Sequence, residues 1–215
     1  MAIKKPGIVK GDLTDTTLNW KIANSYSLGK AAEGMSNSLR NSDIINYFLT
    51  NVLLINPIVA ANIRLFSGIF SIVQDPFLGV WIDRTRRKSG KIRPFVCAVP
   101  FFIALFTIMF FISISSFSMP LKILYSVIAL VGWDFSYSSY NLSMNALPVA
   151  MTKNSVERTK LFGLSHIFRS VAYYIPVALI QSVLYVPFFE KNKNIFYLCV
   201  AIFISLLVII CSRFT

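Results

Sequence analysis

The chain has 215 residues, of which 55% are hydrophobic and only 14% are charged. Roughly a quarter of the residues in an ordinary soluble domain are charged, and a soluble fold of this length cannot cover so much apolar surface, so the composition excludes an ordinary soluble enzyme. The 21 Lys and Arg residues exceed the 9 Asp and Glu residues and give a net charge of +12. In a soluble protein this excess would indicate nucleic acid, but in so apolar a chain it indicates basic cytoplasmic loops, and we expect no nucleic-acid partner.

Six apolar segments are long enough to cross a membrane, because about 20 residues at 1.5 Å each cover a hydrocarbon core of about 30 Å. A polar tail, 1–25, precedes them and contains no apolar signal segment. The sequence therefore predicts an all-α membrane protein with a cytoplasmic tail and six transmembrane helices within 26–215. The predicted spans are 31–54, 57–82, 95–117, 121–147, 161–186 and 195–211.

Basic residues follow alternate spans. The loop after the second span, DRTRRKSGKIRP, holds six Lys and Arg, and the loop after the fourth, MTKNSVERTK, holds three. The N-terminal tail is also basic, whereas the opposite loops contain few positive charges. Because positive residues collect on the cytoplasmic side, we expect a multi-pass protein of the cell membrane with both termini in the cytoplasm.

The first span is the most polar of the six. Glu33, Asn37 and Arg40 share one helical face, and Asp43 lies one helical step further along the chain. We expect Arg40 to neutralise one of these two carboxylates.

The second span carries a carboxylate, Asp75, deep inside it, where an ionisable group is costly unless it faces a polar interior or binds a cation. Ser71 lies one turn earlier, and Pro76 removes a backbone donor, leaving carbonyl oxygens that are suitable cation ligands. We therefore predict a cation-coupling site at Asp75 and Ser71. The alternatives are that Asp75 bonds a neighbouring helix and that Pro76 kinks the helix for packing alone. At helical spacing, one polar stripe joins Ser67, Ser71, Asp75, Gly79 and Asp83.

The second span ends in the pattern Gly79-x-x-x-Asp83-Arg84, and the basic loop that follows reaches Arg93. We expect these four residues to form a cytoplasmic latch, in which Asp83 pairs with basic residues until the helices separate. The same arginines also serve as a positive-inside anchor, and the two roles are compatible.

The fourth span has a polar stripe in which Asp134, Ser138, Asn141 and Asn145 follow one another at steps of four, three and four. Tyr137 and Tyr140 flank it. Carboxylate, amide and hydroxyl groups beside aromatic rings suit a sugar, which presents hydroxyls around apolar C–H faces. Small polar residues also mediate helix contacts in membranes, which is the alternative.

In the fifth span, His166 and Arg169 are three residues apart and share a face, which Tyr173 continues. If these side chains face a central cavity, they could serve proton coupling or hold sugar hydroxyls. Because they also lie near the cytoplasmic loop, the alternative is that they extend to the membrane–water interface. We predict that the substrate is lined by six residues from the fourth and fifth spans: Asp134, Tyr140, Asn141, Asn145, His166 and Arg169.

Two motifs resemble a known family. The first reads D-P-x-x-G-x-x-x-D-R-T-R from Asp75, then G-K-x-R-P; the second comprises Asn145-Ala-Leu-Pro148 and Glu157-Arg-Thr159. Together they resemble the glycoside-pentoside-hexuronide:cation symporters of the major facilitator superfamily. The resemblance implies alternating-access transport of a sugar or glycoside coupled to a cation. Ser71 stands where sodium-coupled members have a second carboxylate, so the ion is left open between H⁺ and Na⁺.

The resemblance also has consequences for partners. The family has twelve spans in two halves with the substrate between them, so this chain resembles the N-terminal half alone. We expect, besides substrate and lipid bilayer, a separately encoded C-terminal half or a second copy of the chain. The alternatives are a truncated, inactive product and a non-transporting scaffold that binds anionic lipid. His166 is the single histidine and there is no phosphate-binding glycine loop, so we expect no enzymatic activity, metal or cofactor.

Overall fold

A computed structural model describes residues 20–40, 42–85, 92–114, 117–152, 154–185 and 193–214. These ranges contain helices and no strand, as the apolar periodicity predicts. In chain order the elements are α1 (Trp20–Leu39), α2 (Ser42–Tyr47), a π-helical turn (Phe48–Val52), α3 (Pro57–Arg84), α4 (Arg93–Phe111), α5 (Met119–Met151), α6 (Ser155–Tyr185) and α7 (Lys193–Arg213).

Within the described residues, five helices, α3 to α7, are long and apolar enough to cross a membrane. They coincide with the second to sixth predicted spans, which confirms an all-α membrane fold. Three of them begin with a proline in the first turn, where the missing N–H costs nothing. At the start of α3, Asn56 also accepts a hydrogen bond from Ile58 N at 2.9 Å and so satisfies one backbone donor.

The first predicted span differs from the structure. Instead of one helix over 31–54, α1 begins at Trp20 and ends at Leu39, and α2 and the π-helical turn follow after a break. Lys30 and Glu33 make α1 too polar to be recognised by hydropathy, yet nearly all of it from Tyr26 to Leu39 is buried. The surface of α1 is therefore suited to packing against other helices rather than against lipid.

Close packing explains how α1 is buried. It lies against α6 and α7 and also touches α5. At Gly34, an added Cβ would lie 2.3 Å from the Arg169 carbonyl oxygen, so only glycine permits this approach of α1 to α6. Small residues commonly set such distances between membrane helices.

An aromatic cluster packs the π-helical turn against the rest of the bundle. The Phe48 ring lies 5.0 Å from Phe111 and 5.7 Å from Tyr197, both edge-on, and Phe111 contacts Trp133 at 6.1 Å. Offset and edge-to-face arrangements are favourable for aromatic rings. The cluster joins α4, α5 and α7 beside the break in the first predicted span.

Two helices have long exposed apolar faces. On α3 the exposed large side chains include Leu65, Ile69, Ile72, Val73 and Phe77, and on α6 they include Ile167, Val171, Tyr174 and Ile175. Lipid or other membrane-embedded protein would cover such surfaces.

Candidate functional site

A buried ion pair on α1 is the centre of the candidate site. Lys30 Nζ lies 2.6 Å from Glu33 Oε2 and also donates to Asn145 Oδ1 at 2.6 Å. Lys30 and Glu33 are 2% and 1% exposed. Two charges this deeply buried are stable only when each is paired. Lys30 is paired with Glu33 of its own helix and fastens α1 to α5 through Asn145.

Glu33 has a second cationic partner. Arg169 Nε on α6 lies 3.1 Å from Glu33 Oε1, and the Arg169 side chain is 32% exposed. The close approach at Gly34 brings the α6 backbone at Arg169 near enough for this contact. One carboxylate therefore lies between two cations from different helices.

A second buried carboxylate, Asp134 on α5, binds two other elements. It accepts hydrogen bonds from Arg40 Nε and from the Ser67 hydroxyl of α3. The Arg40 guanidinium also lies over the Tyr137 ring, 5.0 Å from its centroid. Arg64 Nη1 donates to the Arg40 carbonyl oxygen at 3.3 Å, so this charge cluster holds the break between α1 and α2 against α3 and α5.

The expected partner of Arg40 was wrong. Arg40 pairs with Asp134 rather than with Glu33 or Asp43. Glu33 is already bound by Lys30, and because α1 ends at Leu39, Arg40 and Asp43 do not share one continuous helical face. We name Lys30, Glu33, Arg40, Asp134 and Arg169 the polar seam.

The predicted substrate-lining residues lie in three environments. Asn145 Nδ2 donates to Asn141 Oδ1 at 2.8 Å, and Asn145 is also bound to Lys30, so these amides border the polar seam. Tyr140 is fully buried and donates to the Gly29 carbonyl oxygen at 3.0 Å. His166 is exposed on α6, one turn before Arg169. Their role in binding a substrate stays a prediction.

The predicted cation-coupling residues lie apart from the polar seam, on α3. Asp75 is exposed, whereas Ser71 is partly buried. In the described part of the chain, the buried Ser71 Oγ and both amide atoms of Gln74 have no hydrogen-bond partner. Gln74 is 6% exposed. It directly precedes Asp75 but lies outside the polar stripe of α3, so its place beside the site has no signal in the sequence pattern.

The predicted latch is only partly described. Gly79, Asp83 and Arg84 occupy the end of α3, where Asp83 and Arg84 are exposed. Arg93 begins α4, but its side chain and residues 86–91 lie outside the described residues. Pairing across this loop stays a prediction.

An apolar groove of about 600 Å³ lies between the end of α3, the start of α4 and the middle of α5. Its α5 lining, Phe135, Ser136 and Ser139, falls on the helix face opposite that of Asp134 and Asn141. The groove is therefore separate from the polar seam. No group of three or more His, Cys, Asp or Glu side chains in the described ranges is arranged to hold a metal ion.

Helices of membrane-spanning length, with paired ionisable groups buried between them, define a multi-pass membrane protein. A family model described as MFS/sugar transport protein matches residues 25–215. The chain belongs to this family.

Curated relatives agree with this assignment. The chain is 30% identical over 183 residues to the uncharacterized symporter YjmB of Bacillus subtilis strain 168, covering 84% of this chain and 38% of the relative. It is 30% identical to the isoprimeverose transporter of Lactiplantibacillus pentosus, over 66% of this chain and 29% of that protein. It is 25% identical to the glucuronide carrier protein homolog of Escherichia coli K12, over 73% of this chain and 34% of that protein. The chain thus spans roughly a third of the length of these relatives.

Proposed function

We propose that the chain forms one half of a carrier that moves a sugar or glycoside across the cell membrane by alternating access, coupled to H⁺ or Na⁺. The observation that carries the proposal is Glu33, a buried carboxylate between Lys30 of its own helix and Arg169 of α6. Ionisable groups inside membrane proteins mark transport pathways, and a carboxylate shared by two helices can exchange partners when the helices move. The names of the relatives support sugars and glycosides as the substrate class.

The cation-coupling proposal rests on α3. Ser71 Oγ and Gln74 Oε1 are buried oxygen atoms without a described partner, and Asp75 follows directly. Carboxylate, amide and hydroxyl oxygens are ligands that a small hard cation prefers, while Asp75 alone would suffice to carry a proton. The coupling ion that we propose is therefore either H⁺ or Na⁺.

The second-half proposal rests on the position of Asp75. This carboxylate is exposed on a face of α3 that also presents Ile72, and other exposed apolar residues surround that face. Lipid would cover the apolar residues but would make an ionised carboxylate costly. A separately encoded C-terminal half, or a second copy, would place Asp75 beside a polar pathway between the halves, with both termini in the cytoplasm as the basic loops predict.

Proteoliposomes test the proposal. The chain is reconstituted alone and together with a twelve-span relative's C-terminal half, and uptake of a labelled glycoside is measured under imposed Na⁺ and pH gradients. We expect gradient-driven uptake that Asp75→Asn abolishes and that Asp43→Asn, which removes an exposed carboxylate of α2, leaves intact. Unchanged gradient-driven uptake in Asp75→Asn would remove this residue from the coupling site. Absence of uptake in every preparation would favour the inactive-fragment and scaffold alternatives.

A further inference from the structure

The apolar groove between α3, α4 and α5 runs inward from the end of the bundle that carries the basic loop. Its lining begins at Thr85 and Pro94, where α3 ends and α4 starts, and the last α4 residue that lines it is Phe106, whose ring covers Gly132 of α5. At 1.5 Å per helical residue, the stretch from Pro94 to Phe106 covers about 18 Å. One leaflet contributes about 15 Å to a hydrocarbon core of about 30 Å. The groove therefore has the length of one lipid acyl chain.

The polar side chains that line the groove are already satisfied. Each donates its hydroxyl hydrogen, at 2.8 Å, to the backbone carbonyl four residues earlier in the chain: Thr85, Ser136 and Ser139. The other lining residues have aromatic or aliphatic side chains. A polyhydroxylated solute would exchange its bonds to water for few partners here, whereas hydrocarbon has no such bonds to lose. The lining therefore suits a hydrocarbon chain.

Aromatic rings form one wall of the groove and are open to the membrane. The Trp81 ring lies 5.9 Å from Phe95 of α4 and 6.2 Å from Phe135 of α5, measured between centroids. Trp81 is 54% exposed and Phe102 is 55% exposed, so a molecule from the bilayer can reach both. Tryptophan is enriched at the level of the lipid headgroups, which is consistent with this end of the groove lying near the membrane surface.

Positive charge lies beside the same end of the groove. Arg84 is exposed and lies within one helical turn of Trp81 and next to Thr85. In the sequence, residues 84–93 contain six Lys and Arg, and one carboxylate, Asp83, directly precedes them. Basic residues at a membrane surface attract anionic lipid headgroups. An apolar groove with a positive end is complementary to a molecule that has an apolar tail and a negative head.

We propose that this groove binds one acyl chain of an anionic phospholipid, with the headgroup beside Arg84. The lipid comes from the leaflet that the basic loop faces. Because an acyl chain gains little by leaving the bilayer for an apolar protein surface, the headgroup charge provides the selection over neutral lipid. The inference goes beyond the proposed function, since it assigns a bound lipid to a part of the bundle that is separate from the polar seam.

Tryptophan fluorescence tests the inference, because Trp81 lines the groove. The chain has three tryptophans; Trp133 is 0% exposed, and Trp20 is replaced by phenylalanine throughout. The chain is reconstituted in phosphatidylcholine vesicles with a small fraction of either brominated phosphatidylglycerol or brominated phosphatidylcholine, since bromine quenches tryptophan on contact. We expect phosphatidylglycerol to quench Trp81 with at least about fivefold higher relative affinity, the factor that one basic residue contributes near an anionic surface. Added salt should weaken this preference.

Two pairs of variants locate the lipid. Ala98 is exposed and lines the groove, so Ala98→Phe fills the groove and should abolish the preference. Its control is Ala61→Phe, at an exposed alanine of α3 outside the groove, which should retain it. Arg84→Gln should lower the preference several-fold. Its control, Arg213→Gln, removes an exposed arginine at the end of α7 and should leave the preference intact.

Each contrary result overturns a stated part of the inference. Equal quenching by the two lipids overturns selection by charge, and a preference that survives in Ala98→Phe overturns the groove as the site. Absence of quenching by either lipid shows that protein, such as a second copy of the chain, covers the groove, and this also overturns the inference. A preference that Arg84→Gln leaves unchanged overturns the position of the headgroup. Unaltered emission from buried Trp133 shows that a variant is folded, and since no readout is uptake, the proposed function is tested separately.

Discussion

Glu33 is the residue on which the charge balance of the bundle depends. It is almost fully buried between Lys30 and Arg169, and its removal leaves two neighbouring cations without a counterion. We expect Glu33→Gln to lower the free energy of unfolding by about 3 kcal/mol, since an uncompensated buried charge costs about that much. Unfolding in mixed detergent micelles, followed by circular dichroism, measures the change.

A double variant isolates the cause. Glu33→Gln combined with Lys30→Met removes one cation together with the carboxylate and should recover most of the lost stability, while Asp43→Asn, at an exposed position on α2, should change little. If the double variant were less stable than Glu33→Gln by the full effect of Lys30→Met, the two residues would not be coupled.

Asp83 gives a second prediction at the residue scale. It lies exposed at the end of α3, next to Arg84 and the basic loop. If it latches one of the two access states, Asp83→Ala should slow transport several-fold and leave sugar affinity nearly unchanged, because the latch touches no substrate. Initial uptake rates and equilibrium dialysis measure the two quantities separately, and a parallel loss of binding would argue against a latch.

At the scale of elements, the contact between α1 and α6 is closely constrained at Gly34. A methyl group at Gly34 would meet the Arg169 carbonyl oxygen at 2.3 Å, and this neighbour is backbone that cannot rotate away. We expect Gly34→Ala to force the helices apart, to break the contact between Glu33 and Arg169, and to lower the free energy of unfolding by about 2 kcal/mol. Gly163 on α6 is the matched control, because nothing lies within 4 Å of its added Cβ. Gly163→Ala should be neutral or slightly stabilising, and the same detergent titration compares the two variants.

The helices differ in how well the sequence predicts them. Those from α3 to α7 are recognisable because each carries enough apolar residues to meet lipid directly. By contrast, α1 is stabilised by side chains on α5, α6 and α7, which no local window of sequence contains. The break after Leu39 was missed for the same reason, since Arg40 leaves the helix to reach Asp134, 94 residues away.

In the candidate site too, single polar residues can be predicted from the sequence, but their pairing partners cannot. Asn141, Asn145, Asp134 and Arg169 are recognisable as polar side chains within apolar spans. Lys30 was missed because it lies near the predicted end of the polar tail, where a lysine is ordinary. Its partner Asn145 is 115 residues away, and pairings at such distances along the chain have no periodic signal.

At the scale of the whole molecule, the exposed face of α3 predicts where a second half or copy would contact this one. Ile72 is 75% exposed and lies one turn before Asp75. With the native cysteines replaced, a single cysteine at Ile72 should cross-link to a C-terminal half or to a second copy in liposomes. A cysteine at Phe203 on α7, which is 50% exposed, serves as the control and should not. Cross-linking at Phe203 but not at Ile72 would place the interface on the other side of the bundle.

The burial of α1 also bears on how the protein is made. On insertion scales, Lys30 and Glu33 near the middle of this helix each cost about 3 kcal/mol, so α1 is a poor substrate for entry into the bilayer by itself. Its partner Asn145 is synthesised 115 residues after Lys30, a delay of roughly 6–23 s at ribosomal speeds of about 5–20 residues per second. We therefore expect α1 to reach its final depth only after α5 and α6, which follow it in the chain, supply its partners. A substitution at Arg169 is therefore expected to affect the insertion of α1, a helix that is completed long before Arg169 is synthesised.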